Sequence, residues 1–468
     1  MGKYFGTDGF RGEANKDLMA VHAFKVGLFL GWYFKKNPDY VRASGRRDGI
    51  VVGKDTRRSS YMLEDALAAG IVSAGSDAYM LHVTTTPSVS FVTRTELYDC
   101  GVMISASHNS FEDNGIKIVN GNGEKLSDEV IADIESYLAG EYRPRGFEGE
   151  SWEVPLARGA QIGKVIDHSA GRNRYIGYLI SISTCSYKDV KVGLDCANGS
   201  AWQIAKSVFD ALGASTYVIG DEPDGLNINR DCGSTHIGTL RDFVRQNKLD
   251  CGFAFDGDAD RCLAVDENGD VVDGDAIMYM CAKHMKKNGE LDDSKLVTTV
   301  MSNYGLYKAL DELGIEYETT QVGDRYVYEK MLEEGHLLGG EQSGHIIFKK
   351  HGTSGDGIIT AIKVMRCMLE QKLPLSALHR DLELYPQILK NVEVTVDKDE
   401  VLAAEKVKRS VQEETKRLAG RGRVLLRKSG TEPVIRVMAE AATIQEAQKS
   451  VDNMIAAIAE SGMLLRVR

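Results

Sequence analysis

The chain lacks a Cys-x-x-Cys pair, an uninterrupted apolar run long enough to span a bilayer, and any excess of basic charge. Its eight cysteines are scattered, several in apolar runs such as Cys262-Leu-Ala-Val, so neither a zinc nor a thioredoxin motif is signalled. They read as reduced core residues of a cytoplasmic protein. The opening Gly2-Lys-Tyr-Phe-Gly-Thr-Asp-Gly9 has no apolar leader-like segment, and no association with a membrane is expected. A formal net charge of -11 argues against nucleic acid as a main partner, because that binding rests on neutralising phosphates. A local basic pocket on an acidic protein still accommodates an anionic substrate.

What is present is an ordinary globular composition, 43% hydrophobic and 27% charged over 468 residues, enough for about three domains by length. One pattern recurs. Ile50-Val-Val-Gly53 reads as a buried strand, Lys54–Ser60 as a polar loop, Tyr61–Ala74 as an amphipathic helix stopped by Gly75, and Ala78–Leu81 as a second strand. The order repeats from Val190, with a stop at Gly213, and from Lys295, with a stop at Gly314. Three such units predict three related α/β domains, and one large doubly wound sheet is the alternative, disfavoured by their wide separation. Residues 140–160 read as a linker and a second break falls near Pro374. Beyond it, a strand over Asn391–Val396, one helix over Glu400–Ala419, two strands and a helix over Ile444–Ser461 predict a smaller α+β domain. The expected divisions are 1–150, 158–255, 262–374 and 375–468.

Four loops carry candidate chemistry. Gly101-Val-Met-Ile-Ser-Ala-Ser-His-Asn-Ser110 delivers Ser105, Ser107 and His108 from a strand into a tight turn, and Gly115-Ile-Lys-Ile-Val119 carries Lys117 away. A serine beside an imidazole and an ammonium suits a nucleophile or phosphate carrier; a polar turn capping its own backbone is the competing reading. Asp256-Gly-Asp-Ala-Asp-Arg261 lies between strand-like runs, and its three aspartates alternate as on one side of an extended segment. Carboxylates so close repel unless a cation sits between them, and oxygen-only ligands favour Mg²⁺, then Ca²⁺. An EF-hand is disfavoured: Arg261 stands where glycine is required, and strands flank the loop. Gly339-Gly-Glu-Gln-Ser-Gly-His345 offers Glu341 and Ser343 to sugar hydroxyls and His345 to a phosphate or a proton. Arg427-Lys-Ser-Gly-Thr-Glu-Pro-Val-Ile-Arg436 combines cations, hydroxyls and a flexible glycine as an anion nest, with a basic hairpin tip as the competing reading.

Together and in this order, the four loops resemble the motifs of the α-D-phosphohexomutases. The opening Phe5-Gly-Thr-Asp-Gly-Phe-Arg-Gly12 and Gln342 look most like the branch acting on an aminosugar. The resemblance implies four domains around a central cleft, three of them related α/β domains and the last α+β, each giving one loop. It implies that Ser107 carries the phosphoryl group and that Asp256, Asp258 and Asp260 hold one Mg²⁺ together with Ser107. Lys117 and Arg261 would balance the transferring group, and Lys117, His108 and His345, in that order, would be candidates for proton transfer. Arg11, Glu341, Ser343, Arg427, Ser429, Gly430, Thr431 and Arg436 would bind substrate. The implied reaction interconverts glucosamine 6-phosphate and glucosamine 1-phosphate through glucosamine 1,6-bisphosphate, an isomerisation feeding aminosugar nucleotide synthesis, with a homodimer as the candidate assembly. A phosphomannomutase or phosphoglucomutase with the same machinery is the nearest alternative, and a non-catalytic sugar-phosphate or Ca²⁺-binding protein the alternative of another class. Two departures show: Ser110 stands where the family usually has proline, and Ala259 where many members have glycine.

Overall fold

The computed structural model describes residues 4–6, 9–36, 47–291, 294–429 and 434–468. It divides into two compact units. The first comprises residues 1–301 and 315–380, the second residues 302–314 and 381–468.

The first unit holds three sheets. The largest has seven strands, in the order Phe5–Gly6, Gly9–Glu13, Asp113–Asn120, Tyr98–Ile104, Arg47–Lys54, Ala78–Val83 and Val165–Asp167. Its central strands are parallel and buried, and they read as continuous apolar runs for that reason. Alternate residues serve opposite cores. Ile50 and Val52 pack with the helices Ala20–Lys36, Arg58–Ser73 and Asp128–Leu138, whereas Val51 packs with Val89 and Val92 of the helix Thr86–Thr95. The first two helices touch backbone to backbone. A Cβ on Gly27 would lie 2.2 Å from Leu67 O, and one on Gly70 would lie 2.1 Å from Phe24 O, so neither position admits a side chain.

The stretch expected as a linker is not a free one. Tyr142, Trp152 and Val154 pack on the first core, and the Ala157 amide donates to Ser73 O at 2.8 Å. Its Gly, Arg, Glu and Pro content masked three apolar anchors spaced along an irregular strap.

The second sheet orders as Val271–Val272, Cys262–Asp266, Cys251–Phe255, Lys191–Asp195 and Ser215–Ile219. The third orders as Tyr317–Thr320, Leu296–Thr299, Leu338–Gly340 and Ile346–Phe348. In all three sheets a candidate loop is the tip of an antiparallel pair. Ile104 faces Ile116, Phe255 faces Cys262 and Gly340 faces Ile346 across the pairs that carry residues 105–112, 256–261 and 341–345.

The second unit repeats the device. Its sheet orders as Gly422–Lys428, Val434–Ala441, Gln387–Val394 and Leu464–Val467, and Lys428 faces Ile435 at the base of the fourth loop. The helix Ile444–Glu460 starts at Thr443, whose hydroxyl accepts from the Glu446 amide, and buries Ala447, Val451, Met454 and Ile458 at helical spacing. The single helix expected over 400–419 is two, Lys398–Ala403 and Glu405–Leu418, with Ala404 extended between them. Val401 and Val407 are both buried. Six residues apart, they would point about 120° away from each other on a straight helix, so the break lets both reach the core.

Candidate functional site: a serine against three buried aspartates

The strand Tyr98–Ile104 is buried throughout and ends in small residues, so the chain turns sharply with Ser105, Ala106 and Ser107 all enclosed. Ser107 adopts a left-handed backbone with φ 52°, a conformation that costs a residue with a Cβ about 1–2 kcal/mol. The Ser105 hydroxyl accepts from the Ser107 amide at 3.0 Å and so supports that turn. Ser107 Oγ in turn donates to Asp256 Oδ2 at 2.5 Å, linking the first sheet's loop to the second's.

The aspartates do not alternate along an extended strand, as their spacing suggested. Residues 256–261 form a turn, with the Ala259 amide donating to Asp256 O at 3.0 Å and Ala259 itself left-handed at φ 57°. The turn, not the strand period, gathers the carboxylates: ligand oxygens of Asp256, Asp258 and Asp260 lie within 4.8 Å of one another. All three residues are buried. Burial, then the charges of Asp260 and Asp258, push the Asp256 carboxyl well above the usual range. Burial also opposes the Asp260 charge, but Lys117 and His345 outweigh it and hold that carboxyl well below the usual range.

The cations sit around this cluster. Lys117 Nζ lies 2.8 Å from Asp258 Oδ2 and 3.5 Å from Asp260 Oδ2. The Thr86 hydroxyl donates to Asp258 Oδ2 at 2.6 Å, and the Arg261 amide donates to Asp256 Oδ1 at 3.1 Å. Arg261 Nη1 lies 3.2 Å from His108 Nδ1, which is 3.4 Å from Ser107 Oγ. Burial, then the charges of Arg261 and Arg11, lower the pKa of His108 to about 4, so its ring is neutral at pH 7. Asp258 Oδ1 and Asp260 Oδ1 are buried without a hydrogen-bond partner. Unsatisfied carboxylate oxygens in a buried, oxygen-only cluster fit a hard divalent cation.

A cleft of about 400 Å³ opens on this cluster in the first unit, with Lys117, Asp260, His345, Asp324, Lys125 and Thr86 among its walls. His345 is buried, with Nδ1 3.7 Å from Asp260 Oδ2 and Nε2 3.7 Å from Asp324 Oδ2. Burial opposes a charge on this ring, yet Asp260 and Asp324 raise its pKa to about 9. The Gly355 amide nevertheless donates to Nε2 at 2.9 Å, which requires a lone pair there. The ring therefore meets opposite demands, a lone pair at Nε2 for the Gly355 amide and a proton for the two carboxylates. On the same loop Glu341 Oε1 accepts from the Gly323 amide at 3.1 Å and Ser343 is exposed.

In the second unit, Arg427 and Arg436 face each other directly across two strands. Burial, then the neighbouring Arg436 charge, lowers the pKa of Arg427. Two guanidiniums held side by side are a receptor for an oxyanion. Ser429 is buried beside them, whereas Gly430 and Thr431 lie outside the described residues.

Four family models match the chain in order. They are the phosphoglucomutase/phosphomannomutase α/β/α domain I over residues 2–144, domain II over 173–269, domain III over 273–385 and the C-terminal domain over 389–458. The phosphoglucosamine mutase of Lachnospira eligens is 58% identical over 462 residues, covering 99% of both chains, and that of Bacillus subtilis is 46% identical over 455 residues, covering 97% of this chain and 98% of its own. The chain belongs to the phosphoglucosamine mutase family. It is thus an isomerase of carbohydrate metabolism built from four domains of mixed α/β sheets. Solved structures share the fold. A phosphoglucomutase/phosphomannomutase family protein from Burkholderia thailandensis superposes with a TM-score of 0.79 at 22% identity, covering 98% of this chain and 97% of its own. The Aspergillus fumigatus N-acetylphosphoglucosamine mutase, in complex with GlcNAc-6P and magnesium, does so at 0.67 and 18%, covering 99% and 96%.

Several residues that the structure brings to this cluster are absent from the sequence motifs. Thr86 follows two other threonines and precedes Pro87, a signature that announces a helix start rather than a carboxylate ligand. Asp324 opens the helix Asp324–Glu334 and is bound by Lys125 at 2.8 Å. Gln342, whose identity suggested the aminosugar branch, donates its side-chain amide to Asp273 Oδ2 at 3.2 Å, against the residue that caps the helix Gly274–Lys287. No helix among the described residues is long and apolar enough to cross a membrane.

Proposed function

We propose that Ser107 lends a phosphoryl group to a glucosamine phosphate and takes one back, so that glucosamine 6-phosphate and glucosamine 1-phosphate interconvert through the 1,6-bisphosphate. The observation that carries this reading is the 2.5 Å contact between Ser107 Oγ and Asp256 Oδ2 inside a cluster of three buried carboxylates. Asp256, Asp258 and Asp260 would hold Mg²⁺, the metal named with the Aspergillus structure. When bound, the ion neutralises phosphoryl oxygens and polarises the bond to phosphorus.

This chain's own residues supply position and charge. Phosphoserine carries roughly two negative charges, and Lys117, beside Asp258 and Asp260, and Arg261, beside His108, would balance the moving group. In the first transfer the Ser107 Oγ–P bond breaks, a bond from phosphorus to the sugar's free hydroxyl oxygen forms, and the hydroxyl proton leaves. His108 and Lys117 are the candidate acceptors for that proton, and each must first release a present partner, Arg261 for the imidazole and the two carboxylates for the ammonium. The His108 ring stands 3.4 Å from Ser107 Oγ. Arg427 and Arg436 would receive the phosphate that is not transferred, while Glu341 and Ser343 would meet the sugar hydroxyls.

Ser107→Ala, assayed with glucosamine 6-phosphate and its 1,6-bisphosphate as primer, is expected to lose turnover while keeping its melting temperature within a few degrees. Intact-mass measurement after incubation with the bisphosphate should show a phosphoryl group on the wild type and none on the variant. Full turnover by the variant refutes the proposal.

A further inference from the structure

The carbonyl side of the serine loop is gripped as firmly as its hydroxyl side. Arg57, fully buried and ion-paired with Asp55, sends Nη2 to Ser107 O at 3.2 Å and to Asn109 O at 2.6 Å, and Nε to Ser110 O at 3.4 Å. Asn229 approaches the same two carbonyls from the other direction, with Nδ2 2.8 Å from Ser107 O and 2.9 Å from Asn109 O. Both donors of this amide are spent on the serine loop, while its Oδ1 is buried without a partner. The amide is therefore oriented by the loop's need for donors, not by its own environment.

The grip extends to the aspartate turn. A Cβ on Gly257 would lie 2.5 Å from Ser107 O and 3.0 Å from Asn229 Nδ2, so the turn, the serine carbonyl and the asparagine are in direct contact. The Gly257 carbonyl in turn accepts from both the amide and the hydroxyl of Ser200, at 2.9 and 2.8 Å. The segment from Cys196 to Asn229 thus holds both sides of the Ser107–Asp256 contact.

We propose that Arg57 and Asn229 are positioning residues for phosphoryl transfer. They lock the carbonyls of Ser107 and Asn109 so that Ser107 Oγ keeps one place against Asp256, in the free as in the phosphorylated state. The proposal rests on Ser107 being the phosphoryl carrier. It assigns a task to a strained residue. Asn229 sits at φ 58°, and asparagine combines tolerance of that backbone with two donors.

Asn229→Gly separates the two roles, since glycine accepts the left-handed backbone at least as well and offers no donor. The purified full-length chain, wild type and variant, is assayed for mutase turnover with Mg²⁺ and bisphosphate primer, and by amide hydrogen exchange read by mass spectrometry. The expected result is a kcat lower by about 10–100-fold with KM within about twofold, because displacement near 1 Å costs up to about 100-fold. Exchange should rise over residues 105–112 and stay unchanged in the other strands. Asn229→Asp, isosteric but without donors, should fall at least as far. Wild-type kcat in Asn229→Gly, a loss only in proportion to the unfolded fraction, or unchanged exchange over 105–112 overturns the proposal. Absence of mutase turnover in the wild type would instead refute the phosphoryl-carrier reading, and the exchange comparison would still decide whether the grip exists.

Discussion

Replacing Lys117 by methionine keeps an unbranched apolar stem and removes one ammonium from a cluster of three buried acids. Its Nζ lies 2.8 Å from Asp258 Oδ2 and 3.5 Å from Asp260 Oδ2. With an effective dielectric near 20, these contacts are worth about 6 and about 5 kcal/mol of gross Coulomb attraction. Most of that offsets the desolvation of the charges, and breaking such a buried pair from one side costs a net of about 3–5 kcal/mol. The loss has a defined remedy. The variant's cluster is one charge more negative, so a divalent cation gains affinity there, and binding to the folded state alone stabilises by mass action. Thermal unfolding in EDTA should therefore place the variant's first transition on the order of 10 °C below the wild type's. Saturating Mg²⁺ should raise the variant's transition by more than it raises the wild type's. Turnover should stay low even with Mg²⁺, because the transferring group has lost a balancing charge. Equal transitions in EDTA, with equal increments on adding Mg²⁺, would refute both the placement of Lys117 and the assignment of the aspartates to a cation.

Two further outcomes follow from named contacts. Arg427→Ala removes half of the facing arginine pair and should raise KM for the sugar phosphate at least tenfold, with little loss of melting temperature because the repulsion from Arg436 is relieved; an unchanged KM with a large fall in stability would make the loop structural. His351 Nδ1 lies 2.9 Å from the Tyr178 hydroxyl, and burial, then Lys363 and Lys350, lower its pKa to about 4. Between about pH 6.5 and 4 the unfolded chain takes up a proton there that the folded chain refuses, so stability falls as pH falls through that window. His351→Gln should flatten the decline by about 1–2 kcal/mol after allowance for solvent screening, measured as denaturant midpoints from pH 7 to 4, and parallel curves would exclude the effect.

The sequence was most informative where one residue's neighbours in the chain are also its neighbours in space. Ile50–Gly53 and Ala78–Leu81 show as buried strands because both sheet faces are covered, and Gly75 and Gly314 mark helix ends because the chain turns left-handed there. The candidate loops were visible for the same reason, each being one short hairpin tip. The aspartate cluster was found, although for a wrong local reason: a turn, not strand alternation, brings the carboxylates together. What stayed hidden was held by distant partners. Arg57 and Asn229 are 50 and 122 residues from the Ser107 carbonyl they bind, and Asp324 is 199 residues from Lys125. No periodicity carries such pairings. The break at Ala404 was hidden in another way, for no glycine or proline marks it and only the burial of Val401 and Val407 requires it.

The two loops that meet at this site share a further property. Ser107 and Ala259 both carry a Cβ in the left-handed region, and both are buried. Glycine would relieve each backbone of about 1 kcal/mol of strain. At Ser107 the hydroxyl forbids that exchange. At Ala259 no side-chain chemistry does, so its methyl group has a conformational consequence: it restricts the turn to fewer states than a glycine would visit, in the folded and unfolded chain alike. Such a turn keeps three mutually repelling carboxylates converged only if its surroundings over-determine it. Here they do. The Gly357 amide donates to Ala259 O at 3.0 Å, Ser200 holds Gly257 O, Thr86 and Lys117 hold Asp258, and the Arg261 amide holds Asp256. The rigidity of the acid cluster thus resides in its neighbours, as does that of the serine facing it, so the distance between Ser107 Oγ and the acids is set by the fold itself.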